Sequence, residues 1–110
     1  MQRGDIYLAK IRNSEGSVQS GLRPVIVIQN EYGNSYSNTT IVCCITSANK
    51  KEIPTHVKIG IEHGLSKPST ILCEQIFTIS KEIMLIKIGK VEDKETLKKL
   101  DQAIKISLDL

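Results

Sequence analysis

The chain has 110 residues, of which 40% are hydrophobic and 25% charged, with a net charge of +3. That size and apolar content describe a single domain over residues 1–110 that can bury a core without staples, and they exclude a disordered tail. The charge permits a polyanionic partner without demanding one, and the longest apolar run, Ile41 to Ile45, falls far short of the ~20 residues of a membrane helix.

Seventeen isoleucines against three alanines favour strands over helices. Gly4 to Lys10 reads as a first strand. Arg12 to Leu22 holds Asn13, Gly16, Gly21 and three serines, a loop of about ten residues where ~4–6 is usual. Arg23 to Gln29 is a second strand, unbroken over Val25 to Ile28. Asn30 to Asn38, rich in Asn, Ser and Gly, predicts a turn region. Thr39 to Ser47 is a third strand, apolar on both faces in its middle and therefore central in a closed or layered sheet.

A polar connection over Ala48 to Pro54 leads to Thr55–Ile61, which alternates as a half-buried strand. Glu62 to Pro68 is a turn, and Ser69 to Ile79 the next strand. Ser80 is placed to cap a short helical turn over Lys81 to Met84, and Leu85 to Val91 alternates again. Only the end is helical: from Asp93, the positions Leu97, Leu100, Ala103, Ile104 and Leu108 form one apolar stripe. Glu92, Asp93 and Glu95 lie at its N-terminal end, where carboxylates are favoured. Strand following strand without alternating helices indicates a mainly β fold, a small antiparallel barrel with a C-terminal helix.

Cys43, Cys44 and Cys73 are odd in number and fit neither a disulfide framework nor a zinc spacing. Reduced thiols in a cytoplasm are the expectation, and no signal peptide is visible behind Met1. His56 and His63 fit no metal spacing and read as surface residues. No metal or other cofactor is expected.

Three constellations carry chemistry. The loop ending in Gly21-Leu22-Arg23-Pro24 offers backbone N–H groups, the hydroxyls of Ser17 and Ser20 and the Gln19 amide as anion donors, followed by an arginine whose fork matches phosphate. On loop chemistry alone, the plainer reading is a surface arginine opening a strand. At Thr46-Ser47 a buried strand turns polar; hydroxyls there donate to an anion or simply cap a turn. Glu74, between Cys73 and Gln75, puts a carboxylate into an apolar strand, where it needs an ion-pair partner or a cleft. Strict alternation would point Glu74 away from both neighbours.

Taken in order, Arg3-Gly4-Asp5-Ile6-Tyr7, Gly16-Ser17 with Gln19, Gly21-Leu22-Arg23-Pro24-Val25, Ile28-Gln29-Asn30, Gly33-Asn34, Ile45-Thr46-Ser47, Pro54-Thr55-His56-Val57 and Glu74-Gln75-Ile76-Phe77-Thr78-Ile79 resemble the MazF/PemK family of endoribonuclease toxins, in particular its Gram-positive branch. The resemblance spans nearly the whole chain. It implies an SH3-like barrel of the CcdB/MazF/PemK type, and a homodimer. It further implies sequence-specific, metal-independent cleavage of single-stranded mRNA by 2′-OH attack, leaving a 2′,3′-cyclic phosphate and a 5′-OH, and a cognate antitoxin that covers the RNA groove.

The family's catalytic arginine maps onto Arg23 and its threonine onto Thr46. Glu74 matches a carboxylate position of some relatives, whose histidine is replaced here by Ser17. Ser17, Gln19, Ser20, Gly21, Asn30, Ser47 and Gln75 are the implied substrate contacts. Phe77 departs from the pattern, standing where many relatives carry arginine, and Val18 stands at a common Glu. Two other readings share this barrel: a CcdB-like gyrase poison, disfavoured by a C-terminus without Trp, and a catalytically silent relative that binds only RNA or an antitoxin.

Overall fold

The computed structural model describes residues 1–11 and 21–110; the expected contacts at Ser17, Gln19 and Ser20 lie outside them. Six strands form one antiparallel sheet: β1 (Asp5–Ile11), β2 (Gly21–Val27), β3 (Thr39–Thr46), β4 (His56–Ile59), β5 (Ser69–Ser80) and β6 (Met84–Lys90). Their order across the sheet is β4-β5-β3-β2-β1-β6, so β3 and β2 are central, as the apolar run of β3 requires. Among the described residues, no helix is long and apolar enough to cross a membrane.

The two ends of the sheet meet. A 3-10 turn over Ile61–His63 follows β4 and presses on β6, where a Cβ on Gly89 would lie 1.9 Å from the His63 carbonyl oxygen. Only glycine permits that approach. The contact carries the following segment, from Leu65 onward, to the side of the sheet on which Ile88 lies.

Ile6, Ile26, Cys43, Ile45, Val57, Ile71 and Cys73 fill the main core, which α2 (Lys94–Leu108) closes with Leu100 and Ala103. Leu97, Leu100, Ala103 and Ile104 of the apolar stripe form this packed face, while Leu108 at its end is exposed. Arg3 ties the chain's start to the same helix, donating from Nε to the Ile28 carbonyl and pairing with Asp101 at 2.8 Å.

The Asn30–Asn38 segment is not a turn region but holds a short helix, α1 (Glu31–Tyr36). Its residues are poor helix formers, and tertiary contacts hold it. Asn30 caps it by accepting from the Gly33 N–H at 2.8 Å. Asn34 is buried, accepting from the Thr40 hydroxyl at 2.9 Å and donating to the Gln29 carbonyl at 2.9 Å.

Both histidines are also more enclosed than a surface reading expects. His63 is 8% exposed, its Nε2 being 2.9 Å from Asp93 and its Nδ1 3.3 Å from Glu62. The His56 side chain is likewise 8% exposed.

Asp93 is the N-cap of α2, accepting from the N–H and hydroxyl of Thr96 as well as meeting His63. Hydrogen bonds from Thr96 and His63 hold its carboxyl well below the usual aspartate range. A depressed folded value means the stabilisation is complete above the unfolded value and fades as pH falls toward the folded one. Asp93→Ala is therefore expected to lower the thermal midpoint by several degrees at neutral pH, with the gap to the parent chain narrowing progressively as pH falls below about 4, the unfolded aspartate value. Thermal melts across that range test it; a gap independent of pH would refute the linkage.

Candidate functional site

β2 opens with Gly21, Leu22, Arg23 and Pro24, and the pyrrolidine of Pro24 restrains the backbone beside the arginine. β2 pairs with β3 through Val25↔Cys44, Ile26↔Cys43 and Val27↔Val42. Carrying that register two residues further sets Arg23 opposite Thr46, the last residue of β3. Both residues line one cleft at the ends of two central strands. The Arg23 charge is also felt at Cys44: burial pushes that thiol up, and the arginine opposes the shift.

An open cleft of about 590 Å³ lies over this junction. Gly21, Arg23, Thr46 and Ser47 line it, as the sequence leads one to expect. The Thr46 hydroxyl oxygen accepts from the Ala48 N–H at 3.1 Å. With its acceptor side engaged, the hydroxyl keeps its proton to donate into the cleft.

Other lining residues are absent from the sequence reading. Leu65, Ser66, Lys67 and Ser69 line the cleft as well, with Leu8 and Ile88, and Ser69 adjoins the end of β3 because Thr46 pairs with Thr70. The Ser69 hydroxyl donates to the Lys67 carbonyl at 2.9 Å and fixes the turn. Lys67 brings a second cation to the cleft. Its only local signal was a lysine before Pro68 in an ordinary turn. An arginine fork, a lysine, four hydroxyls and aliphatic side chains suit a phosphate joined to an apolar ring.

Glu74, Gln75 and Asn30 line no part of this cleft. Asn30 is the cap of α1. Gln75 is exposed. Glu74 lies where β5 breaks step with β3: Cys43 pairs with Ile76 but Cys44 with Leu72. The three residues between, Cys73 to Gln75, form a bulge. It abolishes strict alternation, so Glu74 and Gln75 are both exposed while Cys73 is buried.

The Glu74 carboxylate is engaged on both oxygens, by the Thr55 hydroxyl at 3.2 Å and by His56 Nε2 at 2.9 Å. Partial burial pushes this carboxyl up, but the hydrogen bonds from His56, the backbone and Thr55 outweigh it and hold it below the usual range. Cys43 and Cys73 are buried in the same core cluster.

The chain matches the family model described as the PemK-like, MazF-like toxin of type II toxin-antitoxin systems over residues 2–108. It is 48% identical to the Endoribonuclease MazF of Staphylococcus saprophyticus, across all of this chain and 92% of that protein. In fold it is similar to the Mycobacterium tuberculosis toxin MazF-mt6, with a TM-score of 0.82, 24% identity, and 96% and 97% of the two chains covered. A mycobacterial endoribonuclease solved with its cognate antitoxin matches with a TM-score of 0.81, 23% identity, and 100% and 96% covered. The MazE-MazF structure from Deinococcus radiodurans matches at 0.79, 17% identity, and 100% and 96% covered.

Proposed function

The chain belongs to the PemK-like, MazF-like toxin family of type II toxin-antitoxin systems, and from that premise we propose that it cuts single-stranded mRNA at the cleft between Arg23 and Thr46, without a metal ion. It is an endoribonuclease toxin, as its 48% identity to a MazF endoribonuclease over the full chain supports. The observation that carries the finer reading is that Arg23 and Thr46 line one cleft from adjacent strand ends.

The chemistry needs few groups. The ribose 2′-oxygen attacks the adjacent phosphorus, the bond from phosphorus to the 5′-oxygen breaks, and the products are a 2′,3′-cyclic phosphate and a 5′-OH. The nucleophile belongs to the substrate, so no water need be activated. Negative charge grows on the nonbridging oxygens. Arg23 stabilises it and donates toward the leaving oxygen, while the Thr46 hydroxyl donates to a nonbridging oxygen. Gly21, Ser47 and Lys67 hold the flanking backbone, and the aliphatic side chains receive a base. Ser17, Gln19 and Ser20 complete the substrate contacts in this reading.

The reading extends to a cytoplasmic homodimer held in check by an antitoxin. One relative solved with its cognate antitoxin and another solved as MazE-MazF support the partner. Digestion of a long RNA with and without EDTA, followed by mapping of both fragment ends, tests the proposal. Cyclic phosphate and 5′-OH ends at a recurring short sequence, unchanged by the chelator, are expected. Cleavage that requires a divalent ion, RNA binding without products, or gyrase inhibition without RNA cutting would overturn it.

A further inference from the structure

Glu74 and His56 stand outside the cleft, yet they hold the segment that orients Thr46. His56 Nδ1 lies 2.9 Å from the Lys51 carbonyl oxygen, and Nε2 2.9 Å from Glu74. Both ring nitrogens are thereby engaged with oxygen atoms, one on each side of the imidazole. The His56 N–H donates to the Ile53 carbonyl at 2.9 Å, and the Cys73 N–H to the Thr55 carbonyl at 2.9 Å. The β5 bulge is thus bonded to β4, and β4 to the middle of the connection that runs from Ala48 to Pro54.

The near end of that connection is the Ala48 N–H on the Thr46 hydroxyl. From Ala48 to Lys51 is three residues, at most about 10 Å of chain. Releasing Lys51 therefore loosens the amide that sets the Thr46 rotamer. A misplacement of about 1 Å at a reacting group costs on the order of 10²-fold in rate.

Resting on the reaction proposed above, we infer that Glu74 and His56 are positioning residues for Thr46, acting through the Lys51 carbonyl, and that Glu74 is not the base that takes the 2′-OH proton. Glu74 lines no part of the cleft, and both of its oxygens already accept hydrogen bonds.

Steady-state cleavage of a short RNA oligonucleotide tests this with four variants. His56→Ala and Glu74→Ala should each lower kcat by about tenfold with KM nearly unchanged. The double variant should be no slower than the worse single one, because one tether is broken only once. Glu74→Gln keeps a carbonyl acceptor for His56 and should lose no more than about fivefold, with the acid limb of the pH–rate profile retained. Amide exchange at Ala48 should quicken in His56→Ala while circular dichroism is unchanged.

Three results would overturn the inference: a Glu74→Gln loss as deep as that of Glu74→Ala with the acid limb gone, additive losses in the double variant, or wild-type kcat in His56→Ala. A parent protein that does not cut RNA would instead sink the underlying function, while exchange at Ala48 would still report on the tether.

Discussion

Arg23→Ala is expected to slow RNA cleavage by about 10³-fold or more, with the fold intact. In the proposed reaction the guanidinium faces a phosphate that gains charge as the 2′-oxygen adds. Among the described residues, the second cation lining the cleft is Lys67. It is set to hold backbone phosphates, an interaction of similar strength in ground and transition states that cannot replace Arg23. Thr46→Ala should cost about 10²–10³-fold, the usual loss for one donor aimed at developing charge. Thr46→Ser, which keeps the hydroxyl and its Ala48 contact, should fall between that variant and the parent. Single-turnover rates on a defined oligonucleotide, with circular dichroism as a control for folding, measure all three. Cutting at the parent rate in Arg23→Ala would refute its role.

A substrate carrying one deoxyribose, on the 5′ side of the scissile phosphate, should not be cut at all. That substitution removes the nucleophile and leaves the phosphate, the base and the cleft contacts in place. The same strand should bind nearly as well as the all-ribose one and act as a competitive inhibitor. A deoxyribose two or more nucleotides away should leave cleavage close to normal. Product from the singly substituted strand would mean that water, not ribose, attacks phosphorus, and the cyclic-phosphate route would be wrong.

The strands and the terminal helix were legible in the chain because their signals are local. β-Branched runs, period-two alternation at Thr55–Ile61 and Leu85–Val91, and the stripe from Leu97 to Leu108 each depend on neighbours within a few residues. Ser80 was legible as a cap for the same reason and accepts the Glu82 N–H; Asp93, legible only as a carboxylate at the helix start, is the N-cap of α2. The α1 segment was not: Asn34 is helical because Gln29 and Thr40 hold it, and only burial reveals those partners. The histidines were misjudged likewise, since Asp93 and Glu74, which engage them, are 30 and 18 residues away.

The sequence by itself determined the strands, their antiparallel character and the terminal helix, and its family resemblance singled out Arg23 and Thr46. Tertiary structure decided what surrounds them. The β2–β3 pairing brings Arg23 and Thr46 to one cleft, and the start of β5, which pairs with the end of β3, brings Ser69 there with Leu65 and Lys67. The three-residue slip in β5 turns Glu74 out of the cleft toward Thr55 and His56. Periodicity reports which way a side chain faces along its own strand. Register, bulges and close backbone approaches are set between segments distant in the chain, and these bring a functional group into the cleft or keep it out.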